Sequence, residues 1–262
     1  MSTNAKGLFI ASIIFLTIIV VIIGVSSFFS PGPLLFSDDF GNATRNQQFP
    51  VCPGFTIVEE RLRVTVEDPY MGRAITLVSE YEEFVFTIYV RPVGDVHDGS
   101  VNIFFGQASD HSYEIQYRPE KEKINFTETA TNTNQEKTVV FTTGWVGVPE
   151  APFNDSGNKV KLVVTRRSFD LWVSDVEVFR YRSPVDFPYF KGRIGIGAGA
   201  GEAGGVTFEF DNIEIHKPMP FVRRFHDYLI EKEFEKDKDI SSQNGLCLDC
   251  NLPFLGLVFS KK

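Results

Sequence analysis

Short β-prone runs, several with apolar and polar residues in alternation, fill the chain from Leu34 to about His216. Arg61–Val66, Phe84–Val90, Val101–Phe105, Tyr113–Tyr117 and Thr138–Thr142 are of this kind. Val160–Val164, Phe169–Val173, Val176–Tyr181, Arg193–Ile196 and Val206–Ile215 continue the series. Turn-forming residues bound the runs, and no helical period intervenes. Many short strands at regular spacing predict an all-β, antiparallel β-sandwich. Phe84 to Val90 is apolar at both parities, which predicts a central strand covered on both faces.

Two other textures flank these strands. Gly7 to Phe29 carry no charged side chain and follow a lone Lys6. Roughly 20 apolar helical residues cross the hydrocarbon core, so the run predicts a retained transmembrane anchor in contact with membrane lipid. The positive-inside bias puts Lys6 and the amino terminus in the cytoplasm and the remainder in the periplasm or outside the cell. A cleaved signal peptide is the competing reading. Its apolar core spans only about 7–15 residues, however, and no Ala-x-Ala follows here.

Ser30-Pro31-Gly32-Pro33 reads as a stiff spacer. Beyond His216, Phe221, Val222, Phe225, Tyr228, Leu229 and Phe234 recur near helical spacing, which predicts an amphipathic helix from Pro220 to about Lys236. A polar linker follows, then an apolar tail that includes Phe254, Leu255 and Phe259 and is too short to span a bilayer. The expected organisation is an anchor at 1–29, a spacer at 30–33, a sandwich at 34–216 and a docking arm at 217–262.

Composition narrows the function. Phenylalanine is abundant at 26 residues, which suits pleated, half-buried surfaces. A formal net charge of −8 argues against a nucleic-acid partner, because phosphate contacts demand a basic footprint. Three cysteines, Cys52, Cys247 and Cys250, are too few for a disulfide scaffold. One bridge and one leftover thiol is the plainest outcome in an oxidising compartment, either from Cys52 to one of the pair or within the pair. A zinc site lacks its second pair of ligands, and Asn251 stands where haem attachment needs histidine.

Several stretches resemble the concanavalin-A-like (laminin-G-like) jelly-roll superfamily over about residues 34–216. Leu35-Phe36-Ser37-Asp38-Asp39-Phe40 is similar to its opening strand. Asn158 to Phe179 resembles its long hairpin, with Ser174-Asp175 in place of the usual Asn-Gly turn. Gly192 to Gly199 and Val206 to Ile215 are similar to its last two strands. These motifs are structural punctuation and imply the fold more than an activity.

The resemblance sharpens the candidate chemistry. Glu209, Asp211 and Glu214 match the Glu-x-Asp-x-x-Glu spacing of one jelly-roll glycosidase family, but a bulge is needed to bring Glu214 to the face of the other two. The closing-strand match reads the same residues as ordinary surface positions, so no catalytic residue is expected. If first and last strands pair, Asp38, Asp39, Asp211 and Asn212 meet, and such an oxygen-only set suits Ca2+. Tyr113, Tyr117, Trp145, Trp172 and Tyr181 are candidate platforms for glycan stacking, although aromatics of a sandwich usually serve its core. His97, His111, His216 and His226 show no metal-ligand spacing. Asn42, Asn125 and Asn154 head glycosylation sequons.

The leading expectation is a non-catalytic, membrane-anchored accessory subunit that binds protein partners of a membrane complex. The alternatives are a surface carbohydrate-binding module and a glycoside-active enzyme, both resting on fold analogy.

Overall fold

The computed structural model describes residues 32–41, 53–107, 111–131, 137–148, 154, 156–182, 191–219, 228, 232 and 257–258. Sixteen strands run through them in chain order. They are β1 (Leu34–Asp38), β2 (Phe55–Val58), β3 (Arg61–Val66), β4 (Gly72–Tyr81), β5 (Phe84–Pro92), β6 (Ser100–Gln107), β7 (His111–Arg118) and β8 (Lys123–Thr131). Then come β9 (Lys137–Thr142), β10 (Val146–Gly147), β11 (Asn158–Val164), β12 (Ser168–Val173), β13 (Val176–Arg182), β14 (Gly192–Gly199), β15 (Val206–His216) and β16 (Leu257–Val258).

Among the described residues, these strands form two antiparallel sheets. The first has the order β16-β13-β12-β11-β5-β15-β3-β2, with β1 also paired to β15. The second has the order β10-β8-β7-β6-β14-β4, with β9 paired to β8. Each predicted run lies inside a strand, and β2, β4, β8, β10 and β16 are additional. The opening and closing strands pair as the resemblance implies, with Asp38 opposite Ile213 and Ser37 opposite Glu214.

Strand alternation sends one parity of each sheet inward, and the two inner faces meet in a core rich in aromatic rings. Phe105, Tyr113 and Phe126 of the second sheet pack on Phe169 and Tyr181 of the first. Phe126 and Phe169 have ring centroids 4.6 Å apart, and Phe105 and Phe169 are 5.4 Å apart. Burying each such side chain contributes roughly 1.5–3 kcal/mol. This packing corrects one expectation: Tyr113, Tyr117 and Tyr181 are core residues, 0 %, 3 % and 2 % exposed, and offer no ring face to a glycan.

Two hairpins turn on non-glycine pairs with positive φ, Glu59-Glu60 and Ser174-Asp175. That backbone matches the strand twist in two-residue loops, so Ser174-Asp175 performs the work of Asn-Gly. β5 is central, between β11 and β15, as its composition predicts. Its outer face is only partly covered, however, with Tyr89 exposed and Val85 half-buried.

Of the predicted helix at 220–236, Tyr228 and Lys232 are described. Both are helical and exposed, with Lys232 Nζ 6.0 Å from the Tyr228 ring centroid. Among the described residues no helix is long and apolar enough to cross a membrane. The predicted anchor at 7–29, the cysteines Cys52, Cys247 and Cys250, and the docking residues Phe221, Phe225, Leu229, Phe254, Leu255 and Phe259 lie outside the described residues. Leu257 and Val258 pair with Arg182 and Tyr181 of β13, so this part of the tail runs along the sandwich's own sheet edge.

Candidate functional site

The outward parity of the second sheet builds a polar cleft. Pairing aligns Ala74, Gly197, Asn102, Gln116 and Asn125 in one row across β4, β14, β6, β7 and β8. The next row holds Thr76, Gly195, Phe104, Glu114 and Thr127. Beyond the bulge that follows Arg193, β14 therefore contributes glycine at its outward positions, Gly195, Gly197 and Gly199, and a bare trough runs there between the side chains of β4 and β6. A Cβ on Gly197 would stand 2.2 Å from the Arg73 carbonyl oxygen, so the close approach of β4 itself requires glycine there.

Over this trough opens a cleft of about 400 Å³, with Tyr70, Met71 and Arg73 on its β4 side and Asn102, Gln116 and Arg118 opposite. Its polar side chains are held in register. Ser100 Oγ donates to Asn102 Oδ1 at 2.7 Å. Gln116 Nε2 donates to Glu114 Oε1 at 3.0 Å, and Asn125 Nδ2 donates to Gln116 Oε1 at 3.2 Å. Thr142 Oγ1 completes the chain by donating to Asn125 Oδ1 at 2.9 Å. With Nδ2 of Asn125 committed to Gln116 and Thr127, this sequon sits within a strand network.

Arg118 closes one end of the cleft with its guanidinium 4.0 Å from the ring centroid of half-exposed Trp145. Of the predicted stacking aromatics, Trp145 is thus the one beside the cleft. Trp172 is half-buried on the other sheet, with Lys161 Nζ 4.7 Å from its ring centroid.

The carboxylates singled out by spacing lie on the outer face of the first sheet. β15 bulges between Asp211 and Glu214, with Asn212 at φ 49°, and the bulge brings Glu214 to the face of Glu209 and Asp211. Their partners argue against catalysis. Glu209 Oε1 accepts from Arg63 Nε at 3.1 Å, and Oε2 accepts from Arg91 Nε at 3.0 Å. Burial alone pushes this carboxyl up, but the two arginines outweigh it and hold the group below the usual glutamate value. Such a group retains no proton to donate near neutrality, and its lone pairs are occupied. Glu214 Oε2 contacts His216 Nε2 at 3.1 Å.

Asp38, Asp39 and Asn212 line a second, smaller cavity of about 210 Å³. Asp38 and Asp39 accept from the backbone N–H of Phe40 and Gly41, at 2.8 and 3.1 Å, while Asp211 turns to Arg61 at 3.6 Å. Three of the four predicted calcium ligands therefore share a cavity, and the fourth points to an arginine. Among the described residues, acidic and histidine ligand atoms converge in threes at Asp95, His97 and Glu120, an exposed group from other loops.

Two sheets with this strand order and the paired opening and closing strands define a concanavalin-like, galectin-like jelly roll. A Bacillus subtilis protein of unknown function with a galectin-like fold aligns at a TM-score of 0.55 and 12 % identity, over 72 % of this chain and 97 % of that one. The Bacillus licheniformis β-glucanase aligns at 0.50 and 11 %, over 72 % and 100 % of the two chains. The Crh5 transglycosylase aligns at 0.50 and 12 %, over 74 % and 91 %. At these identities the likeness is one of fold. No family model matches the sequence, and no curated protein matches it.

Sequence reasoning missed Asn102, Glu114, Gln116, Arg118 and the glycines of β14. The signal was present in His111 to Arg118, whose outward parity reads Ser112, Glu114, Gln116, Arg118. Planar amide, carboxylate and guanidinium groups in succession make a hydrogen-bonding face.

Proposed function

We propose that this protein binds carbohydrate, without turning it over, in the cleft on the outer face of the second sheet. The observation that carries this reading is the ordered array of Asn102, Glu114 and Gln116 over a glycine-paved trough, with Trp145 and Arg118 at its end. Sugars present hydroxyl groups that both donate and accept, and sites for them combine a few fixed polar groups with an aromatic surface. The fold agrees with this reading, since it is shared with a β-glucanase and a transglycosylase. Retaining hydrolysis uses two carboxyl groups about 5–5.5 Å apart. Among the described residues lining the cleft, Glu114 is the one carboxylate, which favours binding over catalysis.

The uncharged run at 7–29 supports display of this site from a membrane anchor, on the extracytoplasmic side. In this reading residues 30–33 are the spacer, 34–216 the binding domain and 217–262 an accessory segment. Full-length protein in detergent micelles, applied to a glycan array, is expected to retain at least one glycan class. Asn102→Ala and Gln116→Ala should each weaken that retention. Retention of no glycan by the folded protein would overturn the proposal.

A further inference from the structure

Several arginines on the outer faces of the sandwich pair with carboxylates. Arg63 and Arg91 hold Glu209, Arg61 contacts Asp211, Arg182 bonds Asp170 at 2.6 Å and Arg180 bonds Glu177. The chain has 34 acidic residues against 26 basic ones, so carboxylate partners are plentiful. Yet Arg118 makes no side-chain hydrogen bond or ion pair among the described residues, and its Nε is buried without an acceptor. Glu114 lies two positions away on the same face, but Gln116 stands between them and donates to its Oε1 at 3.0 Å.

The contact that Arg118 does make leaves its hydrogen-bonding capacity intact. The Arg118 Cζ lies 4.0 Å from the Trp145 ring centroid, an attraction of cation for ring that consumes none of the N–H donors at the guanidinium edge. The indole therefore positions the guanidinium and leaves its donors for an acceptor. A planar guanidinium with its position set in advance suits bidentate capture of an oxyanion. Arg73 lines the same cleft from the β4 side, tethered by Nη1 to the Pro53 carbonyl at 2.8 Å. Two guanidinium groups thus face one carboxylate, Glu114, giving the cleft a positive balance within a chain of net charge −8.

We infer that the cleft selects glycans carrying an anionic substituent, a carboxylate or a sulfate, and that Arg118 receives that group. The inference rests on the carbohydrate reading above and narrows it to acidic glycans.

The test is calorimetric titration of the full chain in detergent with three oligosaccharides of equal length. One is an oligogalacturonate, one a sulfated galactan fragment and one a neutral galactan fragment. At least one acidic ligand should bind about 10-fold or more tightly than the neutral one, the scale expected of a charge-assisted bidentate contact. Raising the salt tenfold should weaken the acidic ligand selectively.

Arg118→Gln should erase the preference, and Arg118→Lys, which keeps charge without the planar fork, should retain part of it. Whichever acidic ligand is preferred identifies the oxyanion. Equal binding of neutral and acidic ligands, or an undiminished preference in Arg118→Gln, overturns the inference and leaves the carbohydrate reading standing. Binding of none of the three overturns the inference, and the glycan array then decides the carbohydrate reading by itself. Should Arg118→Gln fail to fold, as judged by circular dichroism, Arg118→Lys and the salt dependence of the unmodified protein decide the question.

Discussion

Arg63 and Glu209 stand directly opposite each other in the pairing of β3 with β15, and both Nε and Nη2 of the arginine reach the same carboxylate oxygen, at 3.1 and 2.5 Å. Arg91, across the other edge of β15, takes the second oxygen. Glu209 is 2 % exposed, so this strand is stitched to both neighbours through one buried carboxylate. Glu209→Gln should destabilise the fold by roughly 1–3 kcal/mol in urea denaturation, because two arginines lose a charged partner. The folded protein holds this carboxyl below its ordinary value. Its stabilisation is therefore complete above the ordinary glutamate pKa of about 4.3 and is lost as pH falls from there through the folded value. The acid limb of the stability profile should flatten in Glu209→Gln.

The same geometry predicts no glycoside turnover at β15. Chromogenic glycosides incubated with the protein should release no product, and Glu214→Gln should leave glycan retention unchanged. Hydrolysis that disappears in Glu209→Gln or Glu214→Gln would restore the glycosidase assignment of this strand.

At the opposite end of the pH scale, buried Tyr181 and Tyr117 contribute to stability. Burial first, and then the Glu128 charge, push the Tyr181 phenol up to about 12, and burial also raises Tyr117. A raised tyrosine pKa favours the fold while the group is neutral. Stability should hold below the ordinary phenol value of about 10 and fall as pH rises from there towards the folded value. Phenolate absorbance of these two side chains is expected to appear together with loss of the near-ultraviolet circular dichroism.

Phe169 is the junction of the two sheets. Its ring meets Phe105, Phe126, Phe179 and Tyr181 at centroid distances of 5.4, 4.6, 5.7 and 5.2 Å. Phe169→Ala should cost roughly 3–5 kcal/mol, measured by denaturant unfolding, since it leaves a cavity where both layers meet.

Gly197→Ala probes the trough. The new methyl would collide with the Arg73 carbonyl, so β4 must shift. A loss of roughly 1–3 kcal/mol is expected. Glycan retention should fall further than in a surface control such as Val78→Ala, because the trough floor moves with β4.

Much of this structure was written in the sequence. Residues 61–66, 113–117 and 160–164 declared their strands through local alternation, and first and last strands met as their resemblance implied. Alternation is a short-range property, since each side chain's face follows from its immediate neighbours along the strand. The bulge at Asp211–Glu214 was required in order to gather the carboxylates, and it is present.

Only the tertiary structure decided which faces meet. Tyr113 and Trp145 are both aromatic residues in or beside strands, yet one is sealed between the sheets and the other supports Arg118. Glu209 and Glu114 are both strand glutamates, yet one is held by arginines and the other lines a cleft. Those differences depend on strand order, which places Arg63 and Arg91 beside β15, Asn102 beside the glycines of β14 and Gln116 one strand further on. Strand order is set by pairings between residues far apart in the chain, and no local pattern encodes it. The fold class could therefore be read from the residues in line, whereas the cleft came into being only when β14 was laid between β4 and β6.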